Sequence, residues 1–460
     1  MINYFNFKKY KSKYLLTNDF GRYVFLEQND FKNLLMDKLP QDKDLADKLQ
    51  AEYFAFDNSI EEFSRLTAFN MYGSKNYLYK STSLHIFVVT SACNHKCVYC
   101  QAQSSNKSQK GFMSIETAKK AVNIALQSPS DYLDFEFQGG EPLLNFDVIK
   151  YIVEYSKSVS NKHINYSIVS NLTLLTDEMI EFIKINNISI STSLDGNEIV
   201  HNQNRPYRNN QGTYFDVLNA ISRLRKENIT VGAIQTTTKN SLPYYKEIVD
   251  TYINLDLHMI FLRPLTPLGC ADENWEKIGY TPEQFVEFYK KALDYIIEVN
   301  NKGYHLVEGH SKTFLTKILS GFSPNYMELI SPCGAMLGQL AYYYDGKIFT
   351  CDEARMLYEM GDDSFYVGNT DDSTYDTIAS SKVGSLVAKA SVLESLPSCS
   401  DCVYQPYCGV CPVVNYAQNN NIYENTPREY KCKIYGGMLD IIFDYLYYNK
   451  DIDTFWRWIK

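Results

Sequence analysis

The chain has 460 residues, 45% of them hydrophobic and 22% charged, with no low-complexity tract or repeat, so two or three globular domains are expected. A net charge of −9 argues against a nucleic-acid partner held through phosphates. The start MINYFNFKKYKSKY lacks the apolar core of a signal peptide and no apolar run reaches the length of a membrane span, so the expectation is a soluble cytoplasmic protein with no membrane partner.

Taken in order, KYLLTNDFGRYVFL (Lys13 to Leu26) reads as two alternating strands joined through Asn18, Asp19, Phe20 and Gly21. Helix-like stretches follow at about Asn29 to Leu39 and Asp42 to Phe56, which sets residues 1–80 apart as a small α+β domain. From Leu84 to Arg263 strand-like and helix-like segments alternate. The strands are Leu84 to Thr90, Tyr132 to Gln138, Ile164 to Ser170, Ile188 to Leu194, Ile229 to Thr238 and Leu257 to Arg263. Between them, Ser114 to Gln127 opens with a Ser-x-x-Thr fit for capping, and Thr176 is the expected N-cap of Thr176 to Asn186. Six βα units in succession imply an α/β fold with a parallel sheet closed as a partial (β/α)6 TIM-like barrel over residues 81–320. A long helix at about Pro282 to Asn300 then leads to a cysteine-rich segment, 321–460, where YYYDGKIFTC reads as a hairpin turning at Asp345 and Gly346.

In a barrel, functional groups gather on loops leaving the C-terminal ends of the strands. The loop after the first strand carries Cys93, Cys97 and Cys100; Gly139 to Pro142 follow the second strand, Ser170 and Asn171 end the third, and Ser193 to Gly196 follow the fourth. All four fall on one face. The 11 cysteines are clustered, which in a chain of this size and compartment points to metal or cluster binding rather than disulfides. For the first loop a zinc site completed by His95 is the alternative; it explains neither the barrel nor the other loops.

A C-x3-C-x2-C loop after a first strand, with Tyr99 just before the last cysteine, resembles the radical S-adenosylmethionine superfamily. The resemblance implies a four-iron cluster on Cys93, Cys97 and Cys100 whose open iron chelates the cofactor's methionine group, with Tyr99 near the adenine. Gly139, Gly140 and Glu141 are implied at the cofactor's amino group. In VSNLTLL, Ser170 and Asn171 match a third-strand S/T-N-G motif in which Leu172 replaces the glycine. Ser193 and Arg205 match residues facing the cofactor, Arg205 toward its carboxylate. Arg208 reads as a surface residue and His201 as a structural or capping one.

The C-terminal cysteines resemble the SPASM domain of peptide-modifying radical enzymes, with one spacing of x2 in place of the common x3. That resemblance puts one auxiliary cluster on Cys399, Cys402, Cys408 and Cys432 and another on Cys333, Cys351 and Cys411, for three [4Fe-4S] clusters in all beside S-adenosylmethionine. A zinc ribbon is the alternative for 399–411 alone. The inner set lacks a fourth cysteine: Cys270 is one possibility, and an open iron, or an Asp, Glu or Tyr, the others. Asp352 and Glu353, beside Cys351, read as turn acids. Arg263 and Glu308 are candidates for a substrate cavity, with core ion-pair or surface roles equally compatible.

The stretches LLTNDFG, SLHIFVVTSACNHKCVYCQAQS, LRPLTPLG and SPCGAMLGQLAY with CDEARML resemble the maturase of the His-Xaa-Ser peptide systems (HxsB-like). This implies modification of a ribosomally made precursor peptide, with a crosslink at an unactivated C–H carbon as the leading expectation. A sulfatase-maturating type of dehydrogenase acting on Ser or Cys, or a non-catalytic iron-sulfur scaffold or electron-transfer protein, are the alternatives. Implied partners are the peptide, an electron donor such as flavodoxin or ferredoxin, and a second maturase. Residues 1–80 are read as a leader-peptide module that adds the peptide as a strand, or as a brace on the barrel.

Overall fold

The computed structural model describes residues 1–56, 59–103, 111–423 and 430–460; Ser104, the last residue of the long cysteine motif, lies outside them. Three strands near the start, β1 (Asn6–Tyr10), β2 (Lys13–Thr17) and β3 (Tyr23–Leu26), form an antiparallel meander. The β2–β3 turn is built as its residues require: Gly21 has φ 73°, and the Asn18 side-chain oxygen accepts from the N–H groups of Phe20 and Arg22. β1 was not expected, because Lys8 and Lys9 at its centre depress strand propensity. Helix Ile60–Ser74 was also not expected; it has no fully buried residue, so it lacks the apolar stripe that marks a helix.

The six expected central strands are β4 (Leu84–Thr90), β5 (Tyr132–Gly139), β6 (His163–Ser170), β7 (Ser189–Ser193), β8 (Val231–Thr236) and β9 (Met259–Arg263). They pair in parallel in chain order. Ser114 Oγ accepts from the Thr117 N–H and Thr176 Oγ1 from the Met179 N–H, which fixes the starts of the helices after β4 and β6. Both outer edges of this array are covered. β10 (Val307–Glu308) adds in parallel to β9, and β11 (Gln339–Tyr342) adds in parallel to β4. β11 also carries the hairpin with β12 (Lys347–Phe349), turned at Gly346 with φ 90°, and β13 (Tyr366–Asn369) follows, giving a sheet of ten strands. An uncovered edge of β4 would expose a row of unpaired N–H and C=O groups. The hairpin therefore continues the barrel sheet instead of standing apart from it.

The long helix, Pro282–Asn301, starts in a capping box of Thr281 and Gln284 and packs on the C-terminal helix Tyr430–Tyr447. Among the described residues no helix is long and apolar enough to cross a membrane.

Burial lowers the pKa of His85, His95 and His201, to about 3 for the first two. An unfolded histidine takes its proton near pH 6.5, so these groups stabilise the fold above that pH and lose the contribution as pH falls from about 6.5 toward 3. The thermal midpoint followed by circular dichroism is expected to drop between about pH 7.5 and pH 5.5. His85→Gln, which can keep the hydrogen bond to the Tyr342 hydroxyl, is expected to show a smaller drop. Equal drops in the two proteins would rule out a contribution from His85.

Candidate functional site

A cavity of about 240 Å³ opens at the C-terminal ends of β4 to β9. Cys93, Cys97 and Cys100 line it, together with all eight residues expected at the cofactor: Tyr99, Gly139, Gly140, Glu141, Ser170, Asn171, Ser193 and Arg205. The cysteine loop is held through its backbone. Lys96 N–H donates to Pro206 O, Val98 N–H to Asn204 O and Cys270 N–H to Cys100 O. Burial raises the Cys97 thiol to about 12 and the Cys93 thiol still further. Such thiols stay protonated in the metal-free chain and give up their protons to a metal.

Gly140 lies so close to the first loop that a Cβ there would stand 2.2 Å from Ala92 O, and Glu141 N–H donates to the same oxygen at 2.7 Å. The Glu141 side chain, 1% exposed, is held from three sides. Its Oε1 accepts from Ser170 Oγ at 2.6 Å and Leu143 N–H at 3.1 Å, and its Oε2 accepts from Asn171 N–H at 2.8 Å. A carboxylate has about four acceptor positions, so one remains on Oε2. Burial raises the carboxyl pKa despite these bonds, so a cation arriving in the cavity would lower the cost of its charge.

Leu172 has φ 64° and is 1% exposed. A glycine would adopt that backbone freely, and leucine does so at roughly 1–2 kcal/mol. Burying the side chain in the core beside β6 offsets this by roughly 1.5–3 kcal/mol. The local backbone that the glycine motif provides is thus kept without the glycine.

Opposite Glu141, Arg205 Nη1 donates to the Tyr99 hydroxyl at 2.7 Å, and that hydroxyl donates to Asp195 Oδ2 at 2.8 Å. Asn204 Nδ2 donates to Asp195 as well. Burial would lower the Arg205 pKa, but the acidic groups around it, with the Asp195 carboxylate and the Tyr99 hydrogen bond among them, outweigh it, so the guanidinium stays cationic. Its Nε is buried without a partner. Asp195, 0% exposed, was not singled out in sequence, although it stands inside SLDG. Its neighbour Gly196, at φ 137°, lies where a Cβ would meet Ile248 at 2.6 Å, so the turn that aims Asp195 inward needs glycine. His201 Nδ1 accepts from Asp195 N–H and its Nε2 meets Thr213 Oγ1, a structural placement. His95 meets Thr173 through Nε2 and stacks edge-on against Tyr207, and its Nδ1 is buried without a partner. Arg208 Nη1 donates to the Cys93 carbonyl at 3.5 Å and its side chain is exposed.

Arg263 lines the cavity and pairs with Glu328. Glu308 is not among the lining residues. It caps helix Gly309–Leu315, accepting from the His310 and Ser311 N–H groups and from the Tyr289 hydroxyl. Its acidity is spent on a buried helix start, which corrects its candidacy for the substrate cavity.

The remaining cysteines fall into two groups. Burial raises the Cys408 thiol, and the charges of Cys402, Cys399 and Cys432 raise it further. Burial likewise raises Cys351, on which Glu353, Cys411 and Cys333 act together. Cys351 and Cys411 are the N-cap residues of helices Asp352–Glu359 and Pro412–Asn419, so two helix N-termini face this second group and favour anionic sulfur there. Cys270 N–H donates to the Cys100 carbonyl on the first loop. Among the described residues no three such side chains converge closely enough for a single metal ion.

The model described as Radical SAM superfamily matches residues 87–251. An uncharacterised protein of Methanocaldococcus jannaschii is 34% identical over 250 residues, covering 52% of this chain and 86% of that protein. The cysteine-type anaerobic sulfatase-maturating enzyme of Clostridium novyi is 24% identical over 337 residues, covering 72% of this chain and 87% of the enzyme. Among solved structures, Streptococcus suis SuiB bound to precursor peptide SuiA superposes with a TM-score of 0.56 at 14% identity, covering 94% of this chain and 99% of SuiB. At that identity the likeness is one of fold.

Proposed function

Because the chain belongs to the radical SAM superfamily, we propose that it is a peptide maturase that modifies a ribosomally made precursor peptide, forming a crosslink at an unactivated C–H carbon. The observation that carries this reading is the single cavity that gathers Cys93, Cys97 and Cys100 with all eight candidate cofactor contacts. A four-iron cluster held by Cys93, Cys97 and Cys100, with S-adenosylmethionine held by Glu141 and Arg205 in the same cavity, would supply radical hydrogen-abstraction chemistry there. The residues present fit both groups. Three buried thiols stand on one loop, Glu141 keeps one acceptor position for an ammonium, and Arg205 keeps an unpartnered Nε for a carboxylate. Tyr99 and Asp195 orient Arg205 and hold its charge at the cavity wall.

In this reading residues 81–320 form the radical barrel and 321–460 a SPASM domain with two further clusters, reduced by a flavodoxin or ferredoxin. The branch is that of the His-Xaa-Ser maturases, with which a second maturase would act. Residues 1–80 contribute a sheet whose β3 pairs only with β2 among the described strands, leaving an edge on which a leader peptide can add. The same sheet braces the 399–408 segment: Asn6 Nδ2 donates to Ser400 O and Cys402 O, and Thr17 Oγ1 to Val403 O.

A second reading, oxidation of a Ser or Cys to formylglycine, is favoured by the Clostridium novyi relative. Anaerobic co-expression with the small peptide encoded beside the gene, followed by mass spectrometry, separates the two. A loss of two hydrogens located by fragmentation at a new bond supports the crosslink. An unchanged peptide alongside continued 5′-deoxyadenosine formation overturns this substrate assignment, and an aldehyde on a sulfatase peptide establishes the second reading.

A further inference from the structure

We infer that Glu353 is the fourth protein ligand of the iron-sulfur group held by Cys333, Cys351 and Cys411. The inference rests on the reading above that these three thiols hold a cluster. A four-iron cube closed by protein takes four ligands and these thiols supply three, while the Cys270 backbone is tied to the barrel loop through its N–H and the Cys100 carbonyl.

Five carboxylates share a cavity with Cys333 and Cys411: Asp134, Glu136, Glu328, Asp352 and Glu353. Four are committed elsewhere. Asp134 accepts from Asn165 Nδ2 at 3.0 Å. Glu136 accepts from Gln138 Nε2 at 2.6 Å, Glu328 pairs with Arg263 and accepts from the Tyr435 hydroxyl, and Asp352 pairs with the buried Arg355. Glu353 stands in the first turn of helix Asp352–Glu359, two residues after its N-cap Cys351, so helix geometry keeps both side chains at the same end. Its charge acts on the thiols of Cys333, Cys351 and Cys411 alike. A bare carboxylate beside three thiolates would be costly. Binding a cationic iron offsets that repulsion, and the positive charge of Lys431, which acts on both Cys411 and Glu353, reduces it further.

The test uses the full chain carrying Cys93→Ala, Cys97→Ala and Cys100→Ala, which removes the barrel cluster and leaves about eight irons per chain if both C-terminal groups are filled. In this background Glu353→Ala and the shape-preserving Glu353→Gln are expected to lose about one iron per chain on mild oxidation and to give the electron paramagnetic resonance signal of a three-iron cluster. The parent and Glu353→Cys are expected to keep their iron and show no such signal. If Glu353→Ala and Glu353→Gln both match the parent in iron content and spectrum, the assignment is overturned. If the parent itself holds only about four irons, the two-cluster reading fails and the ligand assignment falls with it.

Discussion

Replacing Cys93, Cys97 and Cys100 together by alanine is expected to remove about four irons from each chain and to abolish the formation of 5′-deoxyadenosine from S-adenosylmethionine and a reductant. The loss should be complete, because no other thiol stands ready to substitute. Cys270 meets the loop through its own N–H and the Cys100 carbonyl. The fold should survive, since the bonds that hold the loop, from Lys96 to Pro206, Val98 to Asn204 and Cys270 to Cys100, are all between backbone atoms. Iron analysis, circular dichroism and product chromatography check the three parts of this expectation. Residual deoxyadenosine above the no-enzyme control would show that these thiols are not the site of cofactor cleavage.

The second large effect is expected at Glu141. Glu141→Gln changes almost no volume but turns one end of the side chain from acceptor to donor. In one orientation the amide NH2 faces Asn171 N–H, and in the other it faces Leu143 N–H and Ser170 Oγ. Either orientation sets donor against donor at a site 1% exposed, at about 1–3 kcal/mol for the unsatisfied group. The lost charge also weakens any contact to an ammonium in the cavity. Together these should weaken S-adenosylmethionine binding by about ten- to a hundredfold, measured by equilibrium dialysis of the anaerobically reconstituted protein. Ser170→Ala removes one hydrogen bond and leaves the charge, so a smaller loss is expected there. Equal affinity in Glu141→Gln and the unaltered protein would take Glu141 out of the cofactor site.

Much of this architecture is legible locally. The six central strands lie within a residue or two of their apolar runs, and Ser114 and Thr176 cap the helices that follow them. The loops that line the cavity could be named because each follows directly on a strand whose period is plain. Local pattern fails where a residue's role depends on a distant partner. Glu308 carries no mark in its own segment to distinguish a helix cap from a cavity acid, and the distinction comes from Tyr289 and Ser311. Asp195 sits in a motif that drew attention to its serine. Only its contacts with Tyr99, Asn204 and Thr236 show it as the anchor of the arginine.

By itself, then, the sequence determined the order of elements, the common face of the four loops and the thiol spacings. All of these follow from short-range periodicity, because alternation and helix turns are properties of consecutive residues. Only the tertiary structure decided how the edges of the sheet are closed, which acids are spent on partners, and that Glu353 shares a cavity with Cys333 and Cys411. Those outcomes depend on burial and on charges brought together from positions as far apart as Cys333 and Cys411, where packing, rather than spacing along the chain, sets the distance.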